Sequence, residues 1–122
     1  MNADEPNRHD PTAPSLSEMQ RAVDDWISQW EEGYFSELSN LARLTEEVGE
    51  LARLINNLHG DKKPKEDESP DDLAEEFGDV LFVLITLANS LEVDLDYALA
   101  DVLDKYDIRD ADRFTPVDPD AR

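Results

Sequence analysis

Apolar residues along this chain recur at steps of three and four, the period of an amphipathic helix rather than of a strand. The pattern predicts four helices. The first runs from about Leu16 to Glu31, with Ser15 or Ser17 as its cap and Met19, Val23, Trp26, Ile27 and Trp30 as its stripe. Gly33 then breaks the chain. The second runs from about Ser36 to Leu58, with Leu41, Leu44, Val48, Leu51, Ile55 and Leu58 at the seam spacing of a bundle helix and Gly60 where a stop is expected. After a charged linker with Pro64, a third helix begins at Ser69 as N-cap and Pro70 as first residue, and runs to about Ser90. Its stretch VLFVLITLA is apolar on every side, which marks a central or interfacial helix. The fourth starts near Asp94 or Asp96 and runs to about Ile108, with Leu95, Ala98, Leu99, Val102, Leu103 and Tyr106 as its stripe. No strand is expected, so the fold class is all-α: a four-helix, bundle-like domain over residues 16–114. The polar, proline-containing ends, 1–15 and 115–122, read as tails.

Composition changes this picture in two ways. With 122 residues and 39% hydrophobic content, one copy has a modest core, and association into a dimer or tetramer would bury more apolar surface. The formal net charge is -20, from 31 acids and 11 bases, which excludes the basic footprint of a nucleic-acid binder and disfavours an anionic membrane surface. Self-repulsion on that scale is relieved by salt screening, so the acidity reads as an adaptation to a high-salt cytoplasm. There is no cysteine, hence no disulfide, thiolate ligand or thiol nucleophile. The N-terminal segment lacks the apolar core of a signal peptide, and Val80 to Ala88 is too short to span a bilayer. A cytoplasmic protein is the expectation.

The candidate chemistry lies in two acidic runs, Glu46-Glu47-Val48-Gly49-Glu50 and Glu75-Glu76-Phe77-Gly78-Asp79. Residues three apart on a helix face the same way, so Glu47 pairs with Glu50 and Glu76 with Asp79. Two such pairs on packed helices make an all-oxygen cage suited to magnesium or manganese. At about 100° per residue, Glu47 falls at the border of the apolar seam, and Glu76 and Asp79 continue the line that becomes wholly apolar one turn later. Carboxylates in such a place repel one another and need a cation or protons. First-turn acids that favour the helix dipole account for Asp71 and Asp72 but less well for Asp79. Gly49 and Gly78, each costing roughly 1 kcal/mol against Ala in a helix, suggest space opened for a neighbouring helix or a ligand.

EEVGE, twenty-five residues, then EFGD, inside flanks GYFSELSNLARLTEEVGELAR and KYDIRDADRF, resembles the MazG-like nucleotide pyrophosphohydrolases. The resemblance spans about residues 20 to 115 and is to the short, single-domain branch. It implies a dimer or tetramer that hydrolyses nucleoside triphosphates to monophosphate and pyrophosphate with magnesium, the metal held by Glu47, Glu50, Glu76 and Asp79. Lys105 matches a phosphate-binding base of the family, Asp107 stands where an asparagine is expected, and Arg109 and Arg113 are further candidates for phosphate. Glu46, one turn from Glu50, is a candidate to orient the attacking water, although a solvated acid is the plainer reading. Lys62, Lys63 and Lys65 read as a solvated loop. His59 reads as a helix-end residue, and Trp26 and Trp30 as core or interface residues with a lesser prospect of stacking on a base. Two alternatives stay open: a phosphoribosyl-ATP pyrophosphohydrolase-like enzyme, and a non-enzymatic helical oligomerisation or interaction module.

Overall fold

The computed structural model describes residues 12–61 and 68–121. Among them lie four helices and no strand: α1 Leu16–Ser28, α2 Glu37–His59, α3 Asp71–Ser90 and α4 Leu95–Arg109, with a 3₁₀ turn at Pro119–Ala121. Residues 1–11 of the expected N-terminal tail, and Lys62, Lys63 and Lys65, lie outside the described residues.

α1, α2 and α4 each start where a short polar side chain takes up a backbone N–H that the helix itself cannot satisfy. Ser15 accepts from the Glu18 N–H at 3.1 Å while the Glu18 carboxylate accepts from the Ser15 N–H at 3.4 Å, a reciprocal capping box. Ser36 caps α2 through the Ser39 N–H at 3.2 Å, and Asp94 caps α4 through the N–H groups of Asp96 and Tyr97. α3 differs from the expectation: Ser69 is not its cap, Pro70 takes the N-cap position with φ -58° and ψ -22° and no side chain caps the helix, while the Asp72 carboxylate accepts from the Ser69 N–H at 3.0 Å because proline brings no N–H of its own. The stops differ. Gly60 ends α2 in extended backbone, where a Cβ would overlap the Asn56 carbonyl oxygen. α3 ends with Glu92 at φ 57°, the Val93 N–H reaching the Ala88 carbonyl at 2.9 Å and the Glu92 N–H reaching Asn89 at 3.2 Å. Gly33, at φ 58°, turns the chain between α1 and α2.

α2 and α3 pack antiparallel as the main interface, α1 lies on α3, and α4 touches α1. Val23, Ile27 and Ile85 form a small core, with Tyr34, Phe82 and Leu95 against it. A polar staple joins three helices beside it. The Gln20 amide donates to the Asn89 side chain at 3.0 Å and to the Val93 carbonyl at 2.8 Å, and accepts from the Leu95 N–H at 2.9 Å. One side chain thus satisfies the end of α3 and the start of α4.

The packing face of α2 differs from the expected seam. Asn40, Leu54 and Asn57 are buried, Leu44, Leu51 and Leu58 are half-buried, and Leu41, Val48 and Ile55 are exposed. The cause is that two positions on the buried face are asparagines engaged locally, Asn40 with the Phe35 carbonyl and Asn57 with Glu68. The apolar stripe is therefore wider than α3 alone covers. α4 has no buried residue at all, and Leu99 and Leu103 of its stripe are exposed.

Candidate functional site

The antiparallel pairing sets Glu47 of α2 against Glu76 and Asp79 of α3. One carboxylate oxygen from each lies within 4.8 Å of the others. Glu47 and Glu76 are half-buried and Asp79 is exposed, so the cluster sits at the rim of the interhelical seam. Glu76 Oε2 is shielded from solvent and has no hydrogen-bond partner. Burial pushes the Glu76 carboxyl above its ordinary 4.5, and the neighbouring charges of Asp79, Glu50, Glu47 and Glu75 push it the same way. An orphaned, desolvated carboxylate oxygen among other carboxylates is a costly arrangement that a hard divalent cation would relieve. The donor set fits such an ion.

Glu50 stands apart from these three. Its Oε2 lies 3.3 Å from Arg53 Nε, and Arg53 in turn holds Glu68 at 2.6 Å. It reaches the cluster by charge, as one of the groups acting on Glu76. Being three residues from Glu47, it shares that side of α2.

Other expected site residues are placed differently. Glu46 is exposed. A Cβ built on Gly49 or Gly78 would meet nothing within 4 Å, so neither glycine makes room for another helix of this chain. Lys105, Arg109 and Arg113 lie at the far end of α4 and just beyond it. Arg109 stacks over Tyr106 at 4.5 Å, Lys105 approaches the same ring at 5.9 Å, and Arg109 and Arg113 both pair with Asp110. Among the described residues no hydrogen bond or ion pair joins these cations to the acids of α2 and α3.

A cavity of about 350 Å³ was not anticipated from the sequence. It opens beside the acid cluster's own helices, walled by Trp26, Trp30, Phe35, Asn40, Arg43 and Phe82 among others. Trp26 meets Trp30 and Phe82 edge to face, at 6.0 and 5.7 Å between centroids. The available signal was Asn40, a polar residue seven before Glu47 and so on the same face of α2.

Comparison with known proteins fixes the class. Residues 35–114 match the MazG nucleotide pyrophosphohydrolase domain, the stretch that holds both acidic runs and the last helix. The chain belongs to that family, and is accordingly a hydrolase. It is 50% identical over 101 residues to the uncharacterized protein YpjD of Bacillus subtilis (strain 168), a match covering 83% of this chain and 91% of that one. The crystal structure of Bacillus subtilis YpjD superposes with a TM-score of 0.73 at 47% identity, covering 78% of this chain and 97% of that one. A Bacillus-conserved MazG protein, a nucleotide pyrophosphohydrolase, superposes with a TM-score of 0.68 at 42% identity, covering 89% and 98%. No helix among the described residues is long and apolar enough to cross a membrane.

Proposed function

We propose that this protein hydrolyses nucleoside triphosphates, ribo- or deoxyribo-, to the monophosphate and pyrophosphate in a magnesium-dependent reaction, manganese being able to substitute, and that it clears non-canonical nucleotides. The observation carrying this reading is the orphaned Glu76 oxygen within a three-carboxylate cluster, in a chain of this family.

Glu47, Glu76 and Asp79 would hold the cation, with Glu50 joining them by turning from Arg53. When bound, a divalent ion would supply Lewis-acid chemistry and offset the charge that these carboxylates and the polyphosphate bring together. The water oxygen adds to the α-phosphorus, the bond from that phosphorus to the bridging oxygen breaks, and pyrophosphate departs with the bridging oxygen. Glu46 is the candidate to orient the water and take its proton. Lys105, Arg109 and Arg113 would offset substrate charge. Because this chain leaves them away from its own acids, a second copy would bring them there, in a homodimer or homotetramer that also covers the exposed lines of α2 and α4.

The test is pyrophosphate release from a panel of canonical and damaged nucleotides, read as phosphate after added pyrophosphatase. Activity should appear with magnesium and vanish with EDTA. A metal ligand supplies several kcal/mol, so Glu76→Gln and Asp79→Asn should each lower kcat/KM by roughly two orders of magnitude or more. Full activity in both variants would refute the assignment.

A further inference from the structure

We infer that Arg53 is a positioning residue for this site: from an anchor built by Glu68 and Asn57 it holds Glu50 outside the acid cluster, and it releases Glu50 when a divalent cation binds there. This rests on the metal-dependent hydrolase reading above.

The first ground is that one guanidinium has two unequal partners. Arg53 Nε lies 3.3 Å from Glu50 Oε2, and Arg53 Nη1 lies 2.6 Å from Glu68 Oε1. The Glu50 side chain is 55% exposed and sits three residues back on the same helix. The Glu68 side chain is 11% exposed, stands just before the start of α3, and accepts from the buried Asn57 amide on its other oxygen at 2.9 Å. Glu68 first and Glu50 second raise the Arg53 pKa. An exposed pair on one helix contributes little, whereas a shielded carboxylate stripped of its cation is costly. Glu50 is therefore the partner that can leave, while Arg53 stays on Glu68.

The second ground is what Glu50 would meet in the cluster. Glu47, Glu76 and Asp79 already bring carboxylate oxygens within 4.8 Å of one another, and Glu76 Oε2 is shielded without a partner. A fourth carboxylate turned in without a cation adds repulsion and no relief. Glu50 shares the side of α2 that carries Glu47, so a side-chain rotation takes it from one place to the other.

The third ground is the choice of arginine. Its planar fork meets two carboxylates with two different nitrogens, whereas a lysine ammonium is a single point charge. Arg53→Lys keeps the charge but not the fork, so the ammonium goes to Glu68 and Glu50 is set free. Glu68→Gln does the opposite and leaves the whole guanidinium charge to Glu50.

The experiment titrates the full-length protein with manganese, reads the free ion by electron paramagnetic resonance, and subtracts uptake by Glu76→Gln, so the readout needs no turnover. An exposed ion pair gained or lost corresponds to roughly two- to fivefold in affinity. Arg53→Lys should lower Kd by that factor, and Glu68→Gln should raise it. In an Arg53→Gln background, Glu68→Gln should have no further effect. On the unmodified protein, magnesium should shift the NMR signal of the Arg53 Nε–H. Single variants that move Kd in the same direction, a Glu68→Gln effect that persists without Arg53, or an Arg53 signal unmoved at magnesium saturation would each overturn the inference. Opposite shifts in a protein that hydrolyses no nucleoside triphosphate would leave the Arg53 device standing and remove the hydrolase reading. Hydrolysis that needs Glu76, with Kd equal in every Arg53 and Glu68 variant, would do the reverse.

Discussion

Glu76 illustrates how a single side chain can be costly to the fold and useful to the site. Its carboxyl is held above the ordinary 4.5 by burial first and by four neighbouring acids after that. A carboxyl raised in the folded state contributes stability when protonated, and that contribution is lost as pH rises from about 4.5 through the raised value. The metal-free protein should therefore lose stability as pH climbs through that window. Glu76→Gln should raise the melting temperature of the metal-free protein at pH 7 and abolish the increase that magnesium gives the wild type. Thermal scans with EDTA and with magnesium read both effects, and a variant still stabilised by magnesium as strongly as the wild type would show that the ion binds elsewhere. Glu92 is a second residue under strain, for a different reason. A non-glycine residue at φ 57° costs about 1–2 kcal/mol, partly offset by the entropy a glycine would add to the unfolded chain. Glu92→Gly should stabilise by about 0.5–1 kcal/mol in urea titration. The acid pairs were legible in the sequence because a spacing of three fixes their direction on any helix. What the sequence did not convey was that Glu50 turns to Arg53, since that choice depends on Glu68 arriving from the start of α3.

At the scale of elements, helix starts were readable because caps are local chemistry: Ser15, Ser36 and Asp94 each act within three residues of themselves. The buried face of α2 was less readable. Periodicity reports where apolar residues are, not which of them another helix covers, and Asn40 and Asn57 are buried for their hydrogen bonds rather than their hydrophobicity. The α1–α4 junction was equally hidden, since it depends on groups far apart in sequence. Asp96 accepts from the N–H groups of Leu16 and Ser17 at 3.3 and 3.0 Å, at the open start of α1. The Ser17 side chain and backbone are the largest causes of its lowered pKa, ahead of the Leu16 N–H. A carboxylate lowered in the folded state stabilises at pH values above its ordinary 3.8 and loses that contribution as pH falls through the lowered value. Asp96→Ala should thus lower the melting temperature by a few degrees at pH 7 and by less at a pH below 3.8, as followed by circular dichroism. Equal destabilisation at both pH values would mean that the charge is not what holds α4 to α1.

On the scale of the whole molecule, two quantities oppose one another. Leu41, Val48 and Ile55 on α2, and Leu99 and Leu103 on α4, form apolar lines that this chain leaves uncovered, a pattern of surface that usually marks association. Against that stands a net charge of -20, which makes each copy repel the next. The range of that repulsion shrinks from about 10 Å at 0.1 M salt to about 3 Å at 1 M, whereas burial of apolar surface is not weakened by screening. Association of the kind proposed above should therefore strengthen with salt. Sedimentation velocity from about 0.05 to about 2 M KCl should show the oligomer fraction and the melting temperature rising together, the steepest change falling where the screening length drops below the spacing of surface charges. Magnesium should shift the same curve to lower salt, because it cancels charge at the acid cluster itself. Leu103→Glu adds a charge to the middle of an exposed stripe, and should dissociate the oligomer at every salt concentration while leaving the helical circular dichroism of each copy in place. A protein that stays monomeric and equally stable across the whole series would mean that the apolar lines on α2 and α4 are tolerated exposure, and that Lys105, Arg109 and Arg113 must reach the phosphates by movement within one chain.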